Sequence, residues 1–105
     1  MLPVDKIIVD EAGQNKASQT FTAQWYQHVT AYVKQTGTGL SLSVKLQGSI
    51  NNVDWVDIGT PITANGILTN FDGTKLVYYL YYRVWITTNS GTNNLLNAWM
   101  GAGGA

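Results

Sequence analysis

The sequence contains no cysteine, so neither a disulfide nor a thiolate metal site can contribute to its stability or chemistry. Charge is nearly as scarce. Asp, Glu, Lys and Arg make up 11% of the residues, less than half the roughly 25% of an ordinary globular domain. Six acids balance six bases, which leaves no electrostatic footprint for nucleic acid or an anionic membrane. No apolar run approaches the roughly 18 residues of a membrane-spanning helix. The opening residues, MLPVDKIIVDE, lack the basic start and long apolar stretch of a secretory signal. The expectation is a chain made in a cytosol and held there until lysis. A weakly charged surface of zero net charge promotes association, so the composition suits a component of an assembly better than a free monomer.

What fills the place of charge is Thr, Asn, Ser, Gln and Gly, together with β-branched and aromatic residues. These favour strands and turns over helices. At 105 residues the chain is long enough for one core and is read as a single domain, 1–105. Strands are expected at 6–9, 19–23 and 28–34, with the polar link DEAGQNKAS after the first. TGTG at 36–39 has the composition of a turn, because glycine reaches positive φ without steric cost. In LSLSVKLQ, Leu40, Leu42, Val44 and Leu46 alternate with Ser41, Ser43, Lys45 and Gln47, the period-two pattern of a half-buried antiparallel strand. The link GSINNVD leads to a short strand at 55–58, and Pro61 restricts the next stretch to an edge or a turn. ILTNF and the turn Asp72-Gly73 lead into LVYYLYYRVWITT (76–88). NSGTNN is expected to end that strand, and LLNAWM to form another before the tail GAGGA. About eight short strands with turn signals every 8–12 residues or so predict an all-β fold, an antiparallel β-sandwich or jelly roll.

A catalytic constellation is hard to assemble from these residues. His28 is the only histidine and has no second His or Cys to complete a zinc site. No serine sits in a nucleophile-elbow pattern, and no Gly-rich loop precedes a helix to cradle phosphate. Asp54 and Asp57 lie three apart, which on a strand sends them to opposite faces, and Asp72 is explained by its turn. Calcium could in principle be held by loop carbonyls with these acids, since it needs oxygens more than motif, but the acids are few. The expectation is no enzyme, no cofactor and no metal.

The aromatics remain. Trp25, Trp55, Trp85 and Trp99 could stack on sugars, although large rings more often build cores and interfaces. In 76–88 alternation assigns Tyr78, Leu80, Tyr82, Val84 and Ile86 to the core. Val77, Tyr79, Tyr81, Arg83, Trp85 and Thr87 fall on the other face. Half-exposed, Tyr79, Tyr81 and Trp85 would present about 300 Å² of apolar surface, near the limit for a monomer. Tyr, Trp and Arg are also enriched at interface hot spots. Tyr79, Tyr81, Arg83 and Trp85 are therefore the predicted partner-binding residues.

The segment VKLQGSINNVDWVDIG (44–59), followed by YYRVWITT (81–88), resembles the strand–GS–loop–W–strand…YxRV pattern of small β-sandwich modules. That pattern occurs in discoidin-like and carbohydrate-binding domains and in short structural proteins of tailed bacteriophages. With its uncharged Thr/Asn/Gly-rich composition and glycine tail, the chain is similar in size and style to capsid decoration, or cement, proteins of the jelly-roll type. The resemblance implies a virion protein that contacts the major capsid protein or another virion protein, as a homo-oligomer within the assembly, without nucleic acid or membrane. It also implies that a neighbour orders the GAGGA tail. The alternative it implies is a carbohydrate-binding or host-adhesion module of a phage tail or fibre, with Trp55, Trp85 or Trp99 as the stacking ring.

Overall fold

The computed structural model describes residues 4–9, 16–17, 20–22 and 28–103, of which 4–9, 16, 93–94 and 103 are described by backbone alone. The expected strand residues Gln19 and Ala23, most of the polar link after β1, Trp25 and the last two residues of the tail lie outside the described residues. The described chain forms only strands: β1 (Val4–Val9), β2 (Lys16–Ala17), β3 (Phe21–Thr22), β4 (His28–Ser49), β5 (Val56–Ile62), β6 (Gly66–Thr69), β7 (Phe71–Asp72), β8 (Lys75–Leu76) and β9 (Tyr81–Gly103).

Two strands dominate. β4 runs for 22 residues and β9 for 23, and they pair antiparallel from Ser49↔Tyr81 to His28↔Gly103. On its far side β9 pairs with β3 and β2 near its start and with β1 near its end. β4 pairs with β6 near its start and with β5 near its end. β7 and β8 form a separate hairpin around the turn at Gly73. Every pairing among the described residues is antiparallel. β5 ends the path β1-β9-β4-β5, so Pro61 stands on an edge strand, where its missing N–H costs no ladder bond.

A straight strand of 22 residues would span roughly 70 Å at the usual rise per residue. The longest extent of the molecule is 40 Å, so β4 and β9 must bend. They do so together, where their register shifts between Thr36 and Ser41 on β4, opposite Ser90 to Leu95 on β9. TGTG and NSGTNN are thus bends inside two long strands, not the turns that composition suggests. The same chemistry serves both purposes. Gly39 has φ 60° and Gly91 φ 146°, and a Cβ on Gly91 would meet the Thr38 carbonyl oxygen at 2.9 Å. Bulged strands that switch layers in this way form the corners of a sandwich.

The bends also reset which side chains point inward. Val29, Ala31, Val33 and Gln35 are buried before the bend in β4, and Leu42, Val44 and Leu46 after it. In β9 Tyr82, Val84 and Ile86 are buried, then Asn89, then Leu96, Ala98, Met100 and Ala102. These residues from both ends of both strands form one core cluster with Phe21, Ile58 and Leu68. The alternation expected over 40–47 holds from Leu42 to Leu46, while Gln47 is buried as well and Leu40, at the bend, is 40% exposed.

Bending leaves backbone carbonyls off the ladder, and buried amides take them up. Gln35 Nε2 reaches the Ser41 carbonyl (2.9 Å), Asn89 Oδ1 (3.0 Å) and the Ser90 carbonyl (3.2 Å). Beside it, Asn65 Oδ1 accepts from the Gln35 N–H at 2.7 Å, extending the edge of β4 through a loop.

The expected strand over 76–88 is broken. β8 ends at Leu76 and β9 starts at Tyr81, with 77–80 outside any strand. Tyr78 and Leu80, assigned to the core by alternation, are 58% and 43% exposed, whereas Val77 and Tyr79 pack against the core. The cause is Asn70, fully buried, whose Nδ2 donates to the Val77 carbonyl (2.8 Å) while its Oδ1 accepts from the Val29 N–H (2.9 Å). The Val77 N–H in turn donates to the Asn70 carbonyl at 3.0 Å, and the Tyr79 N–H to the Tyr82 hydroxyl at 2.9 Å. Held this way the backbone cannot continue as a strand, and the faces exchange at Leu80.

The tail differs from expectation too. Gly101 pairs with Val4 on one side and Thr30 on the other, so much of GAGGA is the end of a sheet strand within this chain.

Candidate functional site

The antiparallel register of β9, β4 and β5 sets Arg83, Gln47 and Asp57 side by side in one row across three strands. Their side chains leave the face opposite the core, since Val84 and Leu46, their neighbours in sequence, are fully buried. Asp57 Oδ2 accepts from Lys45 Nζ at 2.8 Å, and its Oδ1 accepts from Gln47 Nε2 at 2.9 Å. With its amide fixed by Asp57, Gln47 turns Oε1 toward β9 and accepts from Arg83 Nε at 2.8 Å. The hydrogen bonds from Lys45 and then Gln47 hold the Asp57 carboxyl below the usual carboxylate range.

Two indole rings bracket the guanidinium. Its central carbon lies 4.1 Å from the Trp55 ring centroid and 5.3 Å from that of Trp85, both within cation–π range. Trp55 arrives from the loop before β5, and Trp85 from two residues along β9. Partial burial draws the Arg83 pKa down, but a guanidinium stays protonated in proteins.

Of the four residues predicted to bind a partner, Tyr81, Arg83 and Trp85 share this outer face, each half-buried. Tyr79 is elsewhere: its ring lies against Gly48, where an added Cβ would come within 2.3 Å of Cδ2, and meets Tyr82 edge-on with centroids 6.1 Å apart. Gln47, Trp55 and Asp57 complete the arrangement; the sequence offers Trp55 as a stacking ring, Asp57 as an isolated acid and Gln47 as an outer-face residue, and joins none of them to Arg83. Alternation puts Gln47 on the outer face, but only the β4–β9 register sets it opposite Arg83.

At the end of this face the loop between β4 and β5 is tied by its own side chains. Asn51 Oδ1 accepts from the backbone N–H groups of Val53 (2.9 Å) and Asp54 (2.8 Å). Asn51 Nδ2 donates to Asp54 Oδ2 at 2.8 Å, and Ser49 Oγ accepts from the Asn52 N–H at 2.9 Å. Asn52 takes φ 61°, a conformation Asn tolerates better than most residues. The loop so fixed exposes Ile50 (67%) and Val53 (75%) beside a shallow cleft of about 250 Å³ lined by Ile50, Val56 and Tyr79.

Trp99, Asp54 and Asp72 have partners of their own. Trp99 stacks on Tyr32 across β9 and β4, with centroids 5.8 Å apart and planes at 26°, and Tyr32 is 42% exposed. Asp54 is bound by Asn51, and Asp72 Oδ1 accepts from the Gly59 N–H at 3.3 Å. Among the described residues no group of three His, Cys, Asp or Glu side chains could hold a metal ion. Among them also, no helix is long and apolar enough to cross a membrane.

No protein-family model matches the chain, and no curated protein matches it in sequence. The crystal structure of the SPBc2 prophage-derived protein YomS is similar to it over 97% of this chain and 95% of that chain, with a TM-score of 0.64 at 12% identity. At that identity the likeness is one of fold: the chain has the all-β architecture of a prophage-derived protein, matched almost from end to end.

Proposed function

We propose that the chain is a structural protein of a bacteriophage virion that acts by adhesion, and specifically a capsid decoration protein. In this role it binds the major capsid protein or another virion protein, as a homo-oligomer within the assembly, and stiffens the shell. The observation that carries this reading is the end-to-end likeness to a prophage-derived protein, over 97% of this chain and 95% of that chain. The surface supports it. A loop locked by Asn51 presents exposed aliphatic side chains, and rigid apolar projections bind protein surfaces at little entropic cost. The low charge of the chain agrees with a life inside an assembly.

The experiment is to add purified protein to bare capsids of a phage that encodes it. Co-sedimentation with the shell and recovery of heat or osmotic resistance are expected. Capsids that neither bind the protein nor gain resistance would refute the decoration role. A second reading, a sugar-binding module of a tail or fibre, draws on the Tyr32–Trp99 pair, since stacked rings on an open sheet face suit a pyranose. Specific glycan binding by the isolated chain, abolished by Trp99→Ala, would favour that reading over decoration.

A further inference from the structure

We propose that Arg83, clamped between Trp55 and Trp85, is the receptor for a single carboxylate, an Asp or Glu side chain of the protein surface on which this chain docks. The inference rests on the adhesive reading above and adds the chemistry of the partner.

Charge is the first ground. On this face Lys45 is matched by Asp57 at 2.8 Å. Arg83 has no carboxylate partner among the described residues; its hydrogen bond is to the neutral Oε1 of Gln47. The row Asp57–Gln47–Arg83 therefore passes orientation from an acid to the guanidinium without neutralising it. A cation left unmatched on a surface so poor in charge is complementary to an incoming anion.

Preorganisation is the second ground. Arginine normally loses much rotamer freedom when it binds. Here the Nε bond to Gln47 and the Trp55 and Trp85 rings already fix the side chain. With Nε engaged, the fork that remains is the pair of terminal Nη groups, which matches the two oxygens of one carboxylate met end-on. The two rings beside the guanidinium supply the apolar surroundings in which hot-spot arginines act.

The same observations argue against a polyanion. A nucleic acid backbone needs several cations along a groove. Lys45, the other cation on this face among the described residues, is committed to Asp57, and the chain has zero net charge. One fork beside a closed ion pair accommodates one carboxylate.

The test is an NMR titration of the full chain, reading the Arg83 Nε–H and the Trp55 and Trp85 indole N–H signals. The probes are Ac-Ala-Glu-Ala-NH2, its glutamine counterpart and inorganic phosphate. A saturable shift with the glutamyl peptide alone is expected. Arg83→Lys, which keeps the charge and loses the fork, should weaken it about tenfold, the factor corresponding to one charge-assisted hydrogen bond. Three results would overturn the proposal: no saturable response in the unaltered chain, an equal response to the glutamine peptide, or phosphate binding as tight as the glutamyl peptide. Capsid binding indifferent to Arg83→Lys would also overturn it while leaving the decoration role intact. A glutamyl response from a chain that coats no capsid would support the carboxylate site and refute the decoration role alone.

Discussion

Replacing Gly48 with alanine would set a methyl group 2.3 Å from Tyr79 Cδ2 and 2.6 Å from Cγ, where ordinary contact begins near 3.4 Å. The ring would have to withdraw by roughly 1 Å, and its surroundings oppose that movement. The Tyr79 N–H is bound to the Tyr82 hydroxyl, Tyr82 meets the ring edge-on, and on the other flank Ile58 Cδ1 would stand only 3.0 Å from the new Cβ. Forcing a methyl into such a site costs about 1–3 kcal/mol, against a gain of roughly 0.5–1 kcal/mol for alanine over glycine in a strand. The expected net loss is about 1–2 kcal/mol, measured by urea unfolding with an unchanged m-value. A double-mutant cycle isolates the cause. In a Tyr79→Ala background the space opens, and Gly48→Ala should become neutral or stabilising. Equal cost in both backgrounds, or no cost in either, would refute the assignment of Tyr79 to the core side of the sheet.

Three further outcomes are expected. Asn70→Ala leaves the Val29 N–H without its partner and the Val77 carbonyl with only the long contact to the Tyr82 hydroxyl at 3.5 Å, so stability should fall by about 2–4 kcal/mol. The Val29 amide should then exchange with solvent faster than its neighbours in β4; protection unchanged there would count against the bridge. Gly91→Ala combines a backbone at φ 146° with a Cβ 2.9 Å from the Thr38 carbonyl, and should lower the midpoint by the equivalent of about 1–3 kcal/mol. Asp57 has a folded pKa below its usual 3.8, so its contribution is present above that value and is lost as pH falls through the folded pKa. Asp57→Asn should therefore be less stable than the parent chain near neutrality and equal to it at the acid end of a pH series of urea midpoints, and a constant gap would contradict the linkage.

Local pattern was enough to read some of this architecture. The alternation around Leu42, Val44 and Leu46 assigned a strand and its buried face, and Tyr82, Val84 and Ile86 followed the same rule. Pro61 marked an edge correctly. The failures occurred where one local signal has two physical meanings. Glycine-rich TGTG and NSGTNN supply positive φ, which a turn and a bulged bend both need, and only the distant pairing of β4 with β9 decides between them. In LVYYLYYRVWITT the composition is all strand, yet a buried asparagine from another segment captures Val77 and ends the alternation. The candidate site was half legible for the same reason. Tyr81, Arg83 and Trp85 share a face by period two alone, but Gln47 and Asp57 join them through register across three strands, and Trp55 from the loop before β5.

The long pairing of β4 with β9 also constrains how the molecule can be made. Its contacts are nested: Ser49 with Tyr81 is the innermost pair, 32 positions apart, and His28 with Gly103 the outermost, 75 apart. Meeting at the inner pair meets most of the loop-closure cost, because that cost grows only with the logarithm of loop length. Every later pair then forms beside one already in place. Refolding is expected to start at the GSINNVD end and to zip through both bends toward the glycine tail, at the slow pace of non-local β topologies. The pairs around His28 and Gly103, the farthest apart in the chain, are therefore the last to settle.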